Sequence, residues 1–258
     1  MLFGAYDEIE SKKINTYGIK IITGIEFDFV YEHKDFHMLG YNFNWKEINK
    51  SNLINKKTDE EIMDYERENL KFLKSVCKTQ GIKIDENLDI KTPNDKAGTV
   101  LKYHMMEFKE NDLILDEMLG KDRKKSFARG FVHNPNSSFY IDMTKNLPTA
   151  KEIANLIHST GGEVFLAHPF DYKDIDHKKY IEDMYELGIL DGIECIHTRH
   201  NLNQIEFIKK FAKDKNIKIS GGSDFHRDEK QRLGYGVEGT VPITEEYLLK
   251  NAMNKTKM

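Results

Sequence analysis

The stretch that decides the fold is TAKEIANLIHSTGGEVFLAHPF, residues 149–170. Thr149-x-x-Glu152 has capping-box spacing, in which each side chain satisfies the other's exposed backbone N–H. Ile153, Ala154, Leu156 and Ile157 follow on one helical face, and Gly161-Gly162 ends the helix. Glu163–Ala167 (EVFLA) is then an apolar run of strand length. The same rhythm continues downstream, with strands expected at Gly192–Ile196 (GIECI) and Ile217–Ser220 (IKIS). Helices are expected at roughly 178–187 and 202–213, and Thr244 as the cap of a last short helix. Alternating helices and buried strands specify an α/β fold with a parallel βα array, whose strand C-termini form the functional rim.

Working upstream, Ile19–Phe29 (IKIITGIEFDF) reads as a buried strand and Phe36–Phe43 (FHMLGYNF) as a second. From Trp45 to about Asn146 the chain becomes rich in Lys, Glu and Asn, with helical spacing and little strand signal. Thr58-x-x-Glu61 is another capping box, Ile62, Tyr65, Leu73, Val76 and Cys77 share a helical face, and Gly81 terminates it. The expected division is therefore 1–45 and 147–258 as two parts of the α/β unit, with 46–146 as a helical insertion or cap.

The 258 residues, 39% hydrophobic, suffice for one large α/β domain or two small ones. Lys and Arg number 39 against 43 Asp and Glu, a net charge of −4. That balance gives no global attraction to duplex DNA or an anionic membrane. No run approaches the roughly 18 apolar residues of a membrane span, and MLFGAYDEIESKK lacks the order of a signal peptide. Cys77 and Cys195 form no ligand-spaced pair and read as reduced thiols of a cytoplasmic protein. Oligomeric state is not legible.

Four clusters sit where strands are expected to run out: Gly24-Ile25-Glu26, the His37 segment, Ala167-His168-Pro169 and Gly221-Gly222-Ser223-Asp224-Phe225-His226. Each offers His, Asp or Glu, which suit Zn, Mn or Fe. In Asp224-x-His226 both side chains fall on one side of an extended segment. A single Asp-x-His, or a His before proline, is more often an ordinary loop feature. Glu26 at the end of an apolar strand is harder to dismiss, because a buried carboxylate needs a cation or hydrogen bonds. Taken together, the four favour a metal site. A fifth segment, Ile196-His197-Thr198-Arg199-His200, follows the GIEC strand. Arg is scarce, six against 33 Lys, and Arg199 reads either as a phosphate clamp or as a surface ion-pair partner. Arg129, in the basic run 121–129, reads either as a contact to a polyanion or as part of a solvated helix face. His33, His104, His133, His158 and His177 have no partner motif and read as surface or capping residues.

In this order the clusters resemble the PHP (polymerase and histidinol phosphatase) family of metal-dependent phosphoesterases. The matching stretches are GIEF 24–27, FHMLGY 36–41, GGEVFLAHPF 161–170, DGIECIHTRH 191–200, GGSDFH 221–226 and LGYG 233–236. GGSDFH and the RH pair look most like stand-alone members that include nucleoside 3′,5′-bisphosphate phosphatases and a related 5′→3′ exoribonuclease. The resemblance implies a distorted (β/α)7 barrel with a helical insertion, and up to three Mn, Zn or Fe ions. Carried over, Glu26 would bridge two metals, His37 and His168 would complete one site, Asp224 would serve the second and His226 the third. His197, Arg199 and His200 would face the substrate phosphate. The implied reaction is hydrolysis of a phosphomonoester on a small metabolite or nucleotide by metal-bound hydroxide, with no side-chain nucleophile. That fits the lack of GxSxG or a Cys-centred motif. A degenerate relative that only binds a metal or nucleotide, and an exonuclease on short RNA, are the alternatives the same resemblance allows. The family opens with a His-x-His strand, and this chain has no His before His33. The expectation is a barrel lacking its first one or two βα units, on the order of 40 residues, and fewer than three bound metals.

Overall fold

The computed structural model describes residues 4–18, 21–53, 57–225, 234–237 and 241–244. In chain order the elements are α1 Gly4–Glu10, β1 Gly24–Tyr31, β2 Lys34–Tyr41, α2 Trp45–Ile48, α3 Asp59–Thr79, α4 Ala97–Met105 and α5 Asp112–Leu119. There follow α6 Ala150–Ser159, β3 Glu163–Leu166, α7 His177–Glu186, β4 Gly192–Ile196, α8 Leu202–Lys215, β5 Lys218–Gly221, β6 Tyr235–Gly236 and β7 Val241–Pro242. The chain forms two compact units, residues 1–54 with 146–258, and residues 55–145.

The first unit is built on a five-stranded sheet in the order β1-β2-β3-β4-β5, with β6 and β7 forming a separate pair. β1 and β2 are an antiparallel hairpin closed by Glu32 and His33, both at positive φ, the conformation a two-residue turn requires. β2 is also antiparallel to β3, whereas β3, β4 and β5 run parallel. The sheet among the described residues is therefore mixed. The parallel array read from the C-terminal half holds, but β2 runs against its neighbours. Glu26 and His37 stand within their strands, not at strand C-termini as expected, and Glu26 is exposed, not buried, because it projects from the face opposite the core.

Thr149 and Glu152 form the expected capping box on α6, which packs over β1, β2 and β3, while α8 lies on β4 and β5. Their apolar stripes meet the sheet in a core that includes Phe29, Met38, Ile153, Ile157, Leu166, Ile193 and Ile208, each inaccessible to solvent. Each such side chain contributes on the order of 1.5–3 kcal/mol by leaving water. α2 belongs to this unit and buries Trp45 and Ile48 in the same core. The strand expected from Ile19 begins at Gly24; Ile19 and Lys20 lie outside the described residues. The helix expected after Thr244 also lies outside them.

The second unit is helical. The Thr58–Glu61 capping box opens α3, which buries Leu70, Leu73 and Cys77 against Leu101, Met105, Leu115 and Leu119. Tyr65 and Ile62, assigned to that face from the sequence, are only half-buried. α4 has no capping side chain of its own. Buried Glu66 on α3 caps it instead, accepting from the Ala97 N–H at 2.9 Å and pairing with Lys96 at 3.1 Å. Asn111 is 1% exposed and bonds Lys83 N, Lys83 O and Met105 O, tying three segments together.

Candidate metal centre

Side chains alternate across a strand. In β1, Phe27 and Phe29 enter the core while Glu26 and Asp28 project to the opposite face. In β2, Phe36 and Met38 enter the core and His37 shares the face with the two carboxylates, directly opposite Asp28. His168 comes from the loop after β3, where Ala167 N donates to His37 O at 3.3 Å and holds the loop against β2.

The result is a compact triad. Glu26 Oε1 lies 2.8 Å from His37 Nδ1 and 3.0 Å from His168 Nε2, and the two ring nitrogens are 3.2 Å apart. Among the described residues this is the one group of three or more metal-type ligands within mutual reach. Tetrahedral coordination at ordinary Zn–N and Zn–O lengths separates ligand atoms by about 3.3 Å. One carboxylate oxygen and two imidazole nitrogens, 2.8–3.2 Å apart, are a donor set that suits a divalent cation.

Electrostatics agree. Hydrogen bonds from His168 and then His37 hold the Glu26 carboxyl far below its usual range. The bond to Glu26 raises His37 against the opposing effect of burial. Burial pulls His168 down, yet its bond to Glu26 and the nearby charges of Glu194 and Glu26 carry it above the ordinary imidazole value. Without a cation, the three groups form a proton-sharing cluster around one carboxylate oxygen. His37 is braced twice more, its Nε2 3.3 Å from Asp28 Oδ1 and its backbone N–H donating to the Tyr172 hydroxyl at 2.8 Å.

Of the remaining expected residues, His197 lies beside the triad, its ring centroid 5.0 Å from that of His168. Asp224 has a positive φ of 47°, so the backbone is not extended there as expected, and its Oδ2 lies 3.8 Å from His197 Nε2. His226 lies outside the described residues. His197 and His200 are buried, at 0% and 2% exposure, and His200 Nδ1 engages the Cys195 carbonyl. Burial, then the neighbouring His168, His200 and Arg199, push His197 down to about 3. Arg199 is exposed and forms an ion pair with Asp171. In the helical unit, Arg129 is exposed, while Arg123 of the same basic run pairs with Asp112 and Asp116.

Sequence reasoning missed Glu194. It is 4% exposed in the middle of β4, and its Oε2 accepts from the His168 backbone N–H at 2.8 Å. Burial raises its carboxyl to about 7. A charged residue inside the otherwise apolar GIECI run was the available signal. Asp28 was missed too, although it stands two residues beyond Glu26 on the same strand face.

No protein-family model matches the chain. A 5′-3′ exoribonuclease of Haemophilus influenzae is 25% identical over 229 residues, covering 85% of this chain and 73% of that protein. Among solved structures, a protein classed as a metal-dependent phosphoesterase, from Bifidobacterium adolescentis, superposes with a TM-score of 0.53 at 18% identity, over 95% of this chain and 79% of the other. An amidohydrolase of Chromobacterium violaceum, solved with sulfate and no metal, gives 0.51 at 18% identity, over 83% and 70%. The mixed α/β fold of this chain is thus similar to that of metal-dependent hydrolases of known structure.

Proposed function

We propose that this protein is a metal-dependent phosphoesterase that hydrolyses a phosphomonoester on a small metabolite or nucleotide, such as a nucleoside 3′,5′-bisphosphate. The observation that carries this reading is the convergence of Glu26, His37 and His168 on one point from three separate segments. In this reading the mixed sheet is part of a distorted (β/α)7 barrel, and residues 55–145 are its insertion.

Glu26, His37 and His168 would hold a divalent ion such as Mn, Zn or Fe, with Asp224 and His226 serving further ions. When bound, such ions polarise phosphoryl oxygens and acidify water. The chain's own residues do the rest. Asp28 orients the His37 ring through Nε2, and Tyr172 holds the His37 backbone N–H. Arg199, exposed on a short loop, exchanges Asp171 for a substrate phosphate, where its planar fork gives two parallel hydrogen bonds. His197, kept neutral, adds no positive charge beside the metal position.

Hydrolysis of short RNA is the second reading, favoured by the H. influenzae relative. One experiment separates the two. The purified chain is assayed with Mn2+ against a panel of phosphorylated metabolites, nucleoside 3′,5′-bisphosphates and 5′-phosphorylated oligoribonucleotides, following inorganic phosphate and nucleotide release. Phosphate release from small substrates, lost in His168→Ala, supports the first reading; mononucleotide release from oligomers supports the second. Full activity in His168→Ala would sink both.

A further inference from the structure

We propose that Glu194 is a positioning residue for the metal centre, holding His168 in the backbone conformation that carries its imidazole to Glu26 and His37. This inference rests on the metal-centre reading above and adds a residue that lies outside the ligand set.

Three observations support it. First, His168 has a φ of +23°, a region that side-chain-bearing residues rarely occupy, so something must hold the loop there. The amide of that same residue is the one Glu194 Oε2 accepts from, at 2.8 Å. Second, the brace acts on the main chain and not on the ring. A metal-binding imidazole usually passes its second nitrogen to a carboxylate or carbonyl. Here His168 Nδ1 is buried and makes no hydrogen bond among the described residues. The ring is therefore aimed through its backbone. Third, room has been made for the carboxylate. A Cβ on Gly222 would sit 2.2 Å from Glu194 Oε1, so a side chain at that point would push the carboxylate from its place. This gives Gly222, just before Ser223-Asp224, a specific purpose.

A fully buried carboxylate is a costly way to satisfy one amide if stability is the only return. It is reasonable where a ligand must be fixed to within a fraction of an ångström.

The test titrates Mn2+ into the whole chain by calorimetry, with folding of each variant checked by circular dichroism. Glu194→Ala is expected to weaken Mn2+ binding by about 10–100-fold. Glu194→Gln keeps an oxygen that can accept from the His168 amide and should stay within about threefold of wild type. Gly222→Ala should weaken binding in the wild-type background, yet add nothing to Glu194→Ala, because the two changes disturb one contact. Unchanged binding in Glu194→Ala overturns the proposal. So does a Gln variant as weak as the Ala variant, which would mean that Glu194 acts through its charge. Where Glu194→Ala does not fold, Gly222→Ala bears the same expectation, and wild-type affinity in that variant overturns the proposal. A wild-type chain that takes up no Mn2+ overturns both this role and the metal centre. Wild-type uptake that Glu194→Ala leaves unaltered overturns this role alone.

Discussion

Glu26 and His37 sit one diagonal step apart on neighbouring antiparallel strands, with Oε1 and Nδ1 2.8 Å from each other and Asp28 directly across from His37. Cross-strand neighbours on one face of a sheet are fixed by register, so this pair is as rigid as the hairpin that carries it. His168 then closes the triad from a loop. Two members of the triad are thus held by strand pairing and the third by turn geometry.

The pair has a definite pH signature. In metal-free protein, Glu26 is depressed, so its stabilising effect is complete above the ordinary glutamate value of 4.5 and is lost as pH falls toward its folded value. His37 is raised, so its contribution is complete below the ordinary imidazole value of 6.5 and is lost as pH rises through its folded value. With chelator present, the contribution of this pair to Tm should therefore be greatest between about pH 4.5 and 6.5 and fall on either side. Glu26→Gln should flatten that dependence relative to wild type. A profile unchanged by Glu26→Gln would contradict the coupling.

Metal affinity should run the opposite way on the alkaline side. A cation needs neutral imidazoles, and protons compete for His37 and His168, both raised above the ordinary value. Calorimetric Mn2+ affinity is expected to rise steadily between pH 6 and 8. A flat profile across that range would argue against these two rings as ligands.

Asp28 braces His37 from 3.3 Å without joining the triad. Asp28→Asn should weaken Mn2+ binding by up to about tenfold, while His37→Ala should cost far more. Equal losses in the two variants would make Asp28 a ligand instead of a brace.

Arg199 is already ion-paired with Asp171 at the surface. If it clamps substrate phosphate, Arg199→Ala raises KM about tenfold or more with a smaller effect on kcat, and Arg199→Lys does not restore it. Steady-state kinetics on the preferred substrate checks this. Unchanged KM in both variants would leave Arg199 as a surface ion pair.

Gly192 opens β4 where strands crowd. A Cβ there would meet Phe165 Cε1 at 2.2 Å and the Lys218 carbonyl at 2.8 Å. Gly192→Ala should destabilise the first unit by about 1–3 kcal/mol, read as a lower midpoint in urea. Wild-type stability would show that Phe165 can move aside without cost.

Much of the fold was legible because its signals are local. Thr149 with Glu152 and Thr58 with Glu61 announce two helices within four residues each, and both boxes are formed. EVFLA and GIECI fall within one residue of β3 and β4. The hairpin was less legible. Its turn is Glu32-His33, which lacks the Asn-Gly or Asp-Gly that usually marks two residues at positive φ. Without that mark, nothing indicated that β2 runs against β1.

Sequence by itself determined the α/β class, the strands and capped helices of the C-terminal half, and the residue types able to hold a metal. Those follow from periodicity, capping chemistry and side-chain donors, all properties of short stretches. Only the tertiary structure decided that Glu26, His37 and His168 meet, that Asp28 braces the second of them, and that Glu194 is buried beneath the third. These depend on strand direction and register across more than a hundred residues of chain. A slip of one residue in β2 would turn His37 into the core and Met38 out of it, and no local pattern excludes that slip. The packed sheet does, because Phe36 and Met38 must be buried together with Phe29 and Leu166.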